Sequence, residues 1–271
     1  MTDALTRIAD ALERLAPPPP AAADPMAHAA YAWNGAHLAA AMRFSPLPIE
    51  LLTGIDAQRD ALVENLRRLA SGHAAHDVLL WGARGTGKSA LVASAVAATG
   101  DALALVEVAT VSLDSLPRLF ALLAPVPRAF AILVDDIGFA SPAEARRLRS
   151  LLEGGAEARP GNARLIVTSN RRHLVKRDIT EQASAINPRD DADDALALAD
   201  RFGLSLGFHV VDQETFLAIV RGYAEAHGLP FDAQDAVGWA TRRGGRSGRV
   251  AWQYVVELGG REGRALDRSM R

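Results

Sequence analysis

The chain has 271 residues, 49% of them hydrophobic and 23% charged, a balance that suits a globular protein with a real core and excludes a disordered or fibrous chain. Its formal net charge of -2 at pH 7 excludes a general electrostatic pull toward nucleic acid, so any such binding needs a local patch. It has no cysteine, which excludes disulfides and thiolate metal sites, and among its histidines only His73 and His76 stand close together, in a loop-like stretch.

In chain order, the first predicted element is a helical arm. Leu5, Ile8, Leu12 and Leu15 recur at helical spacing, and the run Pro17 to Pro20 must end the helix because proline has no amide donor. The opening segment lacks a signal peptide's unbroken apolar stretch, and no run of about 18 apolar residues follows, so a cytoplasmic address and no membrane span are expected. A second helix is predicted around Ala29 to Met42. A third begins at Asp56, placed to cap a helix with Leu62, Leu66 and Leu69 on one face.

From residue 77 short apolar runs alternate with helical periods: DVLLW, LALVEV, FAILVDD, ARLIVTSN and LGFHVVD. Such alternation predicts a parallel sheet covered by helices, an α/β fold. Between two of the runs, Ser141 to Gly155 reads as a helix with Ser141 as cap, Pro142 first, Glu144 closing a capping box, and Gly154 with Gly155 as the stop. After Asp212 the strand pattern gives way to three helical stretches, TFLAIVRGYAEAHG, AQDAVGWATRRG and GRVAWQYVVELGG. The expected division is an N-terminal helical extension with a proline-rich spacer over 1–50, an α/β core over 51–211 and a small helical lid over 212–271.

Chemistry enters at Gly82 to Ser89. This octet matches G-x-x-x-x-G-K-[ST] at every fixed position, with a strand before it and a helix after it. Glycines at 85 and 87 let backbone amides curl around phosphate oxygens at the positive end of the following helix. Lys88 is expected to meet the β and γ phosphates, and Ser89 to ligate magnesium. The nucleotide-holding set is therefore Gly82, Ala83, Arg84, Gly85, Thr86, Gly87, Lys88, Ser89 and Ala90. In FAILVDD, Asp135 leaves a buried strand at its carboxyl end, where open parallel sheets place ligand groups, and is expected to hold magnesium. Asp136 follows, positioned to orient or deprotonate an attacking water, but is one methylene shorter than glutamate.

With these pieces in order, the chain resembles the AAA-type P-loop ATPases. The segments LLTGIDAQRDAL, LLWGARGTGKS, VDDIGF, TSNRRHL, DRFGL and GGRSGRVAW are similar to an uncharacterised bacterial family among them, and the resemblance runs from Leu51 to Tyr254. It implies that Asn170 senses the γ phosphate, that Arg201 reaches a neighbouring subunit's nucleotide in a homo-oligomer, and that Arg249 of the lid contacts nucleotide in the same chain, with Arg246 close enough to be confused with it. It also implies ATP rather than GTP, and the chain shows no N-K-x-D run of the kind that reads guanine. The expected activity is magnesium-dependent ATP hydrolysis acting on a macromolecular partner. The alternatives are an ATP-dependent switch with negligible turnover, suggested by Asp136 in place of glutamate, a nucleic-acid-associated ATPase similar to helicase loaders, supported by Arg171, Arg172 and His173 and by Arg242, Arg243 and Arg246, and a small-molecule kinase.

Overall fold

Strands form where leucine, isoleucine and valine run together, because such residues pack on both faces of a covered sheet. The computed structural model describes residues 4, 6 and 7, 22–137, 159–170 and 200–266. Among them the order is β1 (Ala30–Trp33), β2 (Leu38–Ala40), α1 (Asp56–Ala70), β3 (Val78–Gly82), α2 (Lys88–Thr99), β4 (Leu103–Val108), α3 (Leu116–Leu123), β5 (Ala129–Val134), β6 (Ala163–Ser169), β7 (Leu204–Phe208), α4 (Gln213–Ala226), α5 (Ala233–Arg242) and α6 (Gly248–Arg261).

The strands make one 7-stranded sheet in the order β2-β1-β4-β5-β6-β3-β7. Every pairing is parallel except that of β1 with β2. β6 lies between β3 and β5, so the phosphate-loop strand and the strand ending at Asp135 flank the strand that ends at Asn170. All three deliver their carboxyl ends to one edge of the sheet.

Alternation along the strands sorts side chains into two cores. Leu80, Leu105, Leu133 and Ile166 pack with α1 and α2 on one face. Leu79, Val106, Ile132 and Val167 pack on the other with Leu116, Leu119 and Leu123 of α3. Burial of a leucine of this kind contributes about 2 kcal/mol. The first core continues without a break into the lid through Phe216, Val220, Tyr254 and Val255. Each lid helix starts with a side-chain cap: Asp212 Oδ1 accepts from Thr215 N at 2.8 Å, Asp232 Oδ1 from Asp235 N at 2.8 Å, and Ser247 Oγ from Val250 N at 3.2 Å.

The helix expected over Ala29 to Met42 is a hairpin. Tyr31 pairs with Ala40 and Trp33 with Leu38, while β1 also runs parallel to β4 from Ala30 beside Leu105 to Trp33 beside Val108. Tyr31 and Trp33 are 1% and 2% exposed with Ala32 exposed between them, the period of a strand. Asn34 and Gly35 make the turn: Asn34 Oδ1 accepts from Ala36 N and His37 N, and Gly35 takes a φ of 93°. The sheet therefore begins inside the stretch expected to be a helical extension.

Asp56 does not cap α1. Ile55 holds the cap position without a side-chain bond, and Asp56, the first helical residue, pairs with Arg59 Nη1 at 2.8 Å. The arm expected over Leu5 to Leu15, apart from residues 6 and 7, and the helix expected over Ser141 to Gly155 lie outside the described residues. Among the described residues no helix is long and apolar enough to cross a membrane.

Candidate functional site

Gly82 ends β3 opposite Phe208 of β7 and takes a φ of 129°. A Cβ there would lie 2.0 Å from the Phe208 carbonyl oxygen, which also accepts from Ala83 N at 3.1 Å, so only glycine lets the two strands close. The loop then turns through Gly85 and Gly87, both with positive φ, and Thr86 Oγ1 donates to Ala83 O at 2.8 Å. Gly87, left-handed, is the cap from which α2 starts at Lys88.

Lys88 is 6% exposed. Its Nζ donates to Gly82 O at 3.0 Å, Ala83 O at 2.8 Å and Asn170 Oδ1 at 3.0 Å, which uses all three of its N–H bonds. Burial lowers the ammonium's pKa, Asp135 and Asp136 pull it back up, and Arg84 adds to the lowering.

Across from the lysine, Asp135 Oδ1 accepts from Ser89 Oγ at 2.6 Å and from Thr168 Oγ1 at 2.5 Å. Thr168 Oγ1 in turn accepts from Asp136 N at 2.8 Å, and its carbonyl from Ile137 N at 2.8 Å, so β6 clasps the chain as it leaves β5. Asp136 stands at a φ of 55°, a left-handed conformation that aspartate tolerates better than most residues. Its Oδ1 accepts from Asn170 Nδ2, and its Oδ2 lies 3.9 Å from Arg84 Nη2. Glu107, near the end of β4, has its carboxyl pKa raised by burial and then by the charge of Asp135.

Of these groups, Arg84, Lys88, Ser89, Asp135, Asp136, Thr168 and Asn170 line one end of a cavity of about 640 Å³. The other end is apolar, walled by Leu47, Leu52, Tyr223 and Trp252, with the two rings 5.6 Å apart at 83°. Burial pushes the Tyr223 hydroxyl up to about 12. A smaller cavity of about 140 Å³ shares Leu52, Gly87, Tyr223 and Gly248 with the first and reaches Gly54, Ile55 and Val211.

The lid meets the loop directly. A Cβ on Gly85 would lie 3.0 Å from Ser247 Oγ, and one on Gly248 would lie 3.4 Å from Gly85 O. Arg249 and Gln253 of α6 line the large cavity, whereas Arg246 Nη2 turns away to Gln213 Oε1 at 3.1 Å. The two candidate lid arginines are thus separated by geometry.

Lys88, Ser89, Asp135, Asp136, Asn170 and Arg249 come together around the large cavity. Arg201 does not join them: it sits in an exposed turn just before β7. Of the arginine groups, Arg171, Arg172 and His173 lie outside the described residues, while Arg243 stacks over Trp239 at 4.6 Å and donates to Gln253 Oε1 at 3.4 Å. Sequence reasoning missed Thr168, Leu47, Leu52, Tyr223, Trp252 and Gln253. A hydroxyl two residues before Asn170 was the one signal it had for any of them.

The family model described as "Protein of unknown function (DUF815)" matches residues 26–262. Comparison with curated proteins finds no match. Among solved structures the chain is similar to the Thermotoga maritima RuvB Holliday junction branch migration motor, at 15% identity and a TM-score of 0.51 over 82% of this chain and 68% of that one. It is also similar to the Aeropyrum pernix Orc1 protein in complex with DNA, at 16% identity and a TM-score of 0.56 over 82% of this chain and 67% of that one. Likeness at such identities bears on the fold and not on the task.

Proposed function

We propose that this chain, which belongs to the family described as "Protein of unknown function (DUF815)" and has the AAA-type P-loop fold, binds magnesium ATP in the large cavity and hydrolyses it to act on a macromolecular partner. The observation that carries the reading is the pairing of two unlike ends in one cavity: Lys88, Ser89, Asp135 and Asn170 at the polar end, Tyr223 and Trp252 at the apolar one. A triphosphate fits the first by charge and a purine fits the second by its flat apolar faces.

Ser89 Oγ and Asp135 would hold magnesium, since both are hard oxygen donors and stand 2.6 Å apart. Bound there, the ion neutralises charge on the phosphate oxygens. Lys88 exchanges its bonds to the Gly82 and Ala83 carbonyls for phosphate oxygens. Asp136, held by Asn170, orients the attacking water and takes its proton as the water oxygen bonds to the γ phosphorus; the bond from that phosphorus to the bridging oxygen breaks, and ADP and phosphate leave. Arg249 contacts the same nucleotide from the lid. Arg201 serves the site of a neighbouring copy, which makes the active form a homo-oligomer.

The division of labour follows the chain: a nucleotide core over 51–211, to which the hairpin adds two strands, and a lid over 212–271. A cytoplasmic setting accords with this work. The partner class to test first is a polynucleotide, because the RuvB and Orc1 structures carry a Holliday junction motor and a DNA complex in their descriptions. The second reading, a switch with negligible turnover, is favoured by one feature: Asp136 is short, conformationally fixed and already engaged by Asn170 and Arg84.

The test is phosphate release from magnesium ATP across protein concentration, with Lys88→Ala and Arg201→Ala alongside. Specific activity should rise with concentration, and both variants should lose it, the first with its nucleotide binding and the second with binding intact. ATP bound without turnover gives the switch reading the lead. No binding by the wild type sinks both.

A further inference from the structure

Arg84 occupies a position of the phosphate loop where the motif fixes no residue type, so the backbone chemistry of the loop does not account for a long cation there. Its side chain lines the large cavity, is 77% exposed, and among the described residues approaches one carboxylate, Asp136, at 3.9 Å. The Asp136 side chain is itself 53% exposed. An ion pair at that separation between groups so wet is weak and easily exchanged. A guanidinium meeting phosphate oxygens does better, because the bonds are charge-assisted and can form in parallel pairs. Lys88, by contrast, is buried and hydrogen-bonded to two carbonyls and to Asn170. The two cations therefore differ in how they are held before a ligand arrives, Lys88 by three hydrogen bonds and Arg84 by one wide ion pair.

We propose that Arg84 recognises the terminal phosphate of a bound nucleoside triphosphate from within the same chain, and that in leaving Asp136 for the phosphate it frees that carboxylate for the attacking water. The inference rests on the ATP-site reading given above. Its structural basis is that Asp136 cannot follow Arg84: its backbone is fixed by the bond from its N to Thr168 Oγ1 and by its left-handed φ, and Asn170 holds its other oxygen. Arg84 moves and Asp136 stays. A diphosphate, lacking the terminal group, leaves the pair intact, so the loop itself reports how many phosphates are present. It also adds to the charge neutralisation that Lys88 and, in the reading above, a neighbouring copy's Arg201 provide.

The experiment is displacement of a fluorescent ATP analogue by magnesium ATP and by magnesium ADP, for the wild type, Arg84→Ala and Arg84→Lys, with circular dichroism as the check on folding. Because the side chain is exposed, Arg84→Ala should fold as the wild type does. It should weaken ATP by about ten-fold or more, the worth of a hydrogen bond to a charged group, and leave ADP within about two-fold. Arg84→Lys should restore part of the loss, since it keeps the charge without the fork. An ATP-to-ADP affinity ratio unchanged in Arg84→Ala, with the wild type binding both, overturns the role of Arg84 and leaves the ATP site standing. A wild type that binds neither nucleotide overturns the ATP site and this inference with it.

Discussion

At the polar end of the cavity, polar atoms are set by backbone: the strand closure at Gly82, the positive-φ turn at Gly85 and Gly87, and the carbonyls that hold Lys88. At the lid end the wall is built from side chains that do two jobs, because Tyr223 belongs to the continuous core that joins sheet and lid and Trp252 packs against it. The first end tolerates almost no change of shape and depends on charge. The second depends on area and can be weakened by degrees. Recognition of charge needs fixed positions, since a misplaced donor costs its full desolvation, whereas recognition of a flat apolar face needs only contact.

Three substitutions bear on this contrast. Gly82→Ala should be the most damaging, because the new methyl must displace the Phe208 carbonyl and so part β3 from β7. A loss of about 4 kcal/mol or more is expected by urea unfolding, with nucleotide binding gone. A mild effect would mean that the loop is less rigid than its geometry implies. Trp252→Ala should weaken ATP and ADP equally, by about ten-fold, as expected for loss of a stacking surface. A change confined to ATP in the same displacement assay would erase the distinction between the ends. Thr168→Val is the smallest. It keeps the shape of a buried side chain but leaves Asp136 N–H without its acceptor and Asp135 without one of its donors, at about 1–2 kcal/mol. Its larger signature should be in turnover rather than in nucleotide affinity, because it disturbs the carboxylates and not the loop.

The same contrast explains what the sequence made legible. Gly82 to Ser89 is contiguous and its chemistry dictates its residue types, so both the loop and its flanking elements were readable. Asp135 followed because it ends an apolar run, whereas Asn170 came only from the family resemblance. Thr168 was passed over because a threonine inside a strand reads as a β-former before it reads as a hydroxyl. Leu52, Tyr223 and Trp252 lie in segments far apart in the chain, and each is a plausible core residue on its own element, so no local pattern could unite them. Between Ala29 and Met42 the many alanines, good helix formers, hid the two-residue period of Tyr31 and Trp33 and the turn signal of Asn34-Gly35. Arg246 and Arg249 are too close in sequence to be told apart there, but they fall on opposite sides of a helix cap. Ser247 is that cap, so Arg246 precedes α6 while Arg249 lies in its first turn, facing the loop.

The unbroken apolar core shared by sheet and lid has a mechanical meaning. A lid tethered only by its linker would swing like a door, but here Phe216, Val220, Tyr254 and Val255 belong to the same apolar core as Leu80, Leu105 and Leu133. Displacement of α6 relative to the phosphate loop must then proceed as a shear, with packed faces sliding by fractions of a side chain. Such a coupling is stiff. It has a short stroke, so a displacement at Gly85, against which Ser247 and Gly248 sit, would reach the lid with little lost to slack.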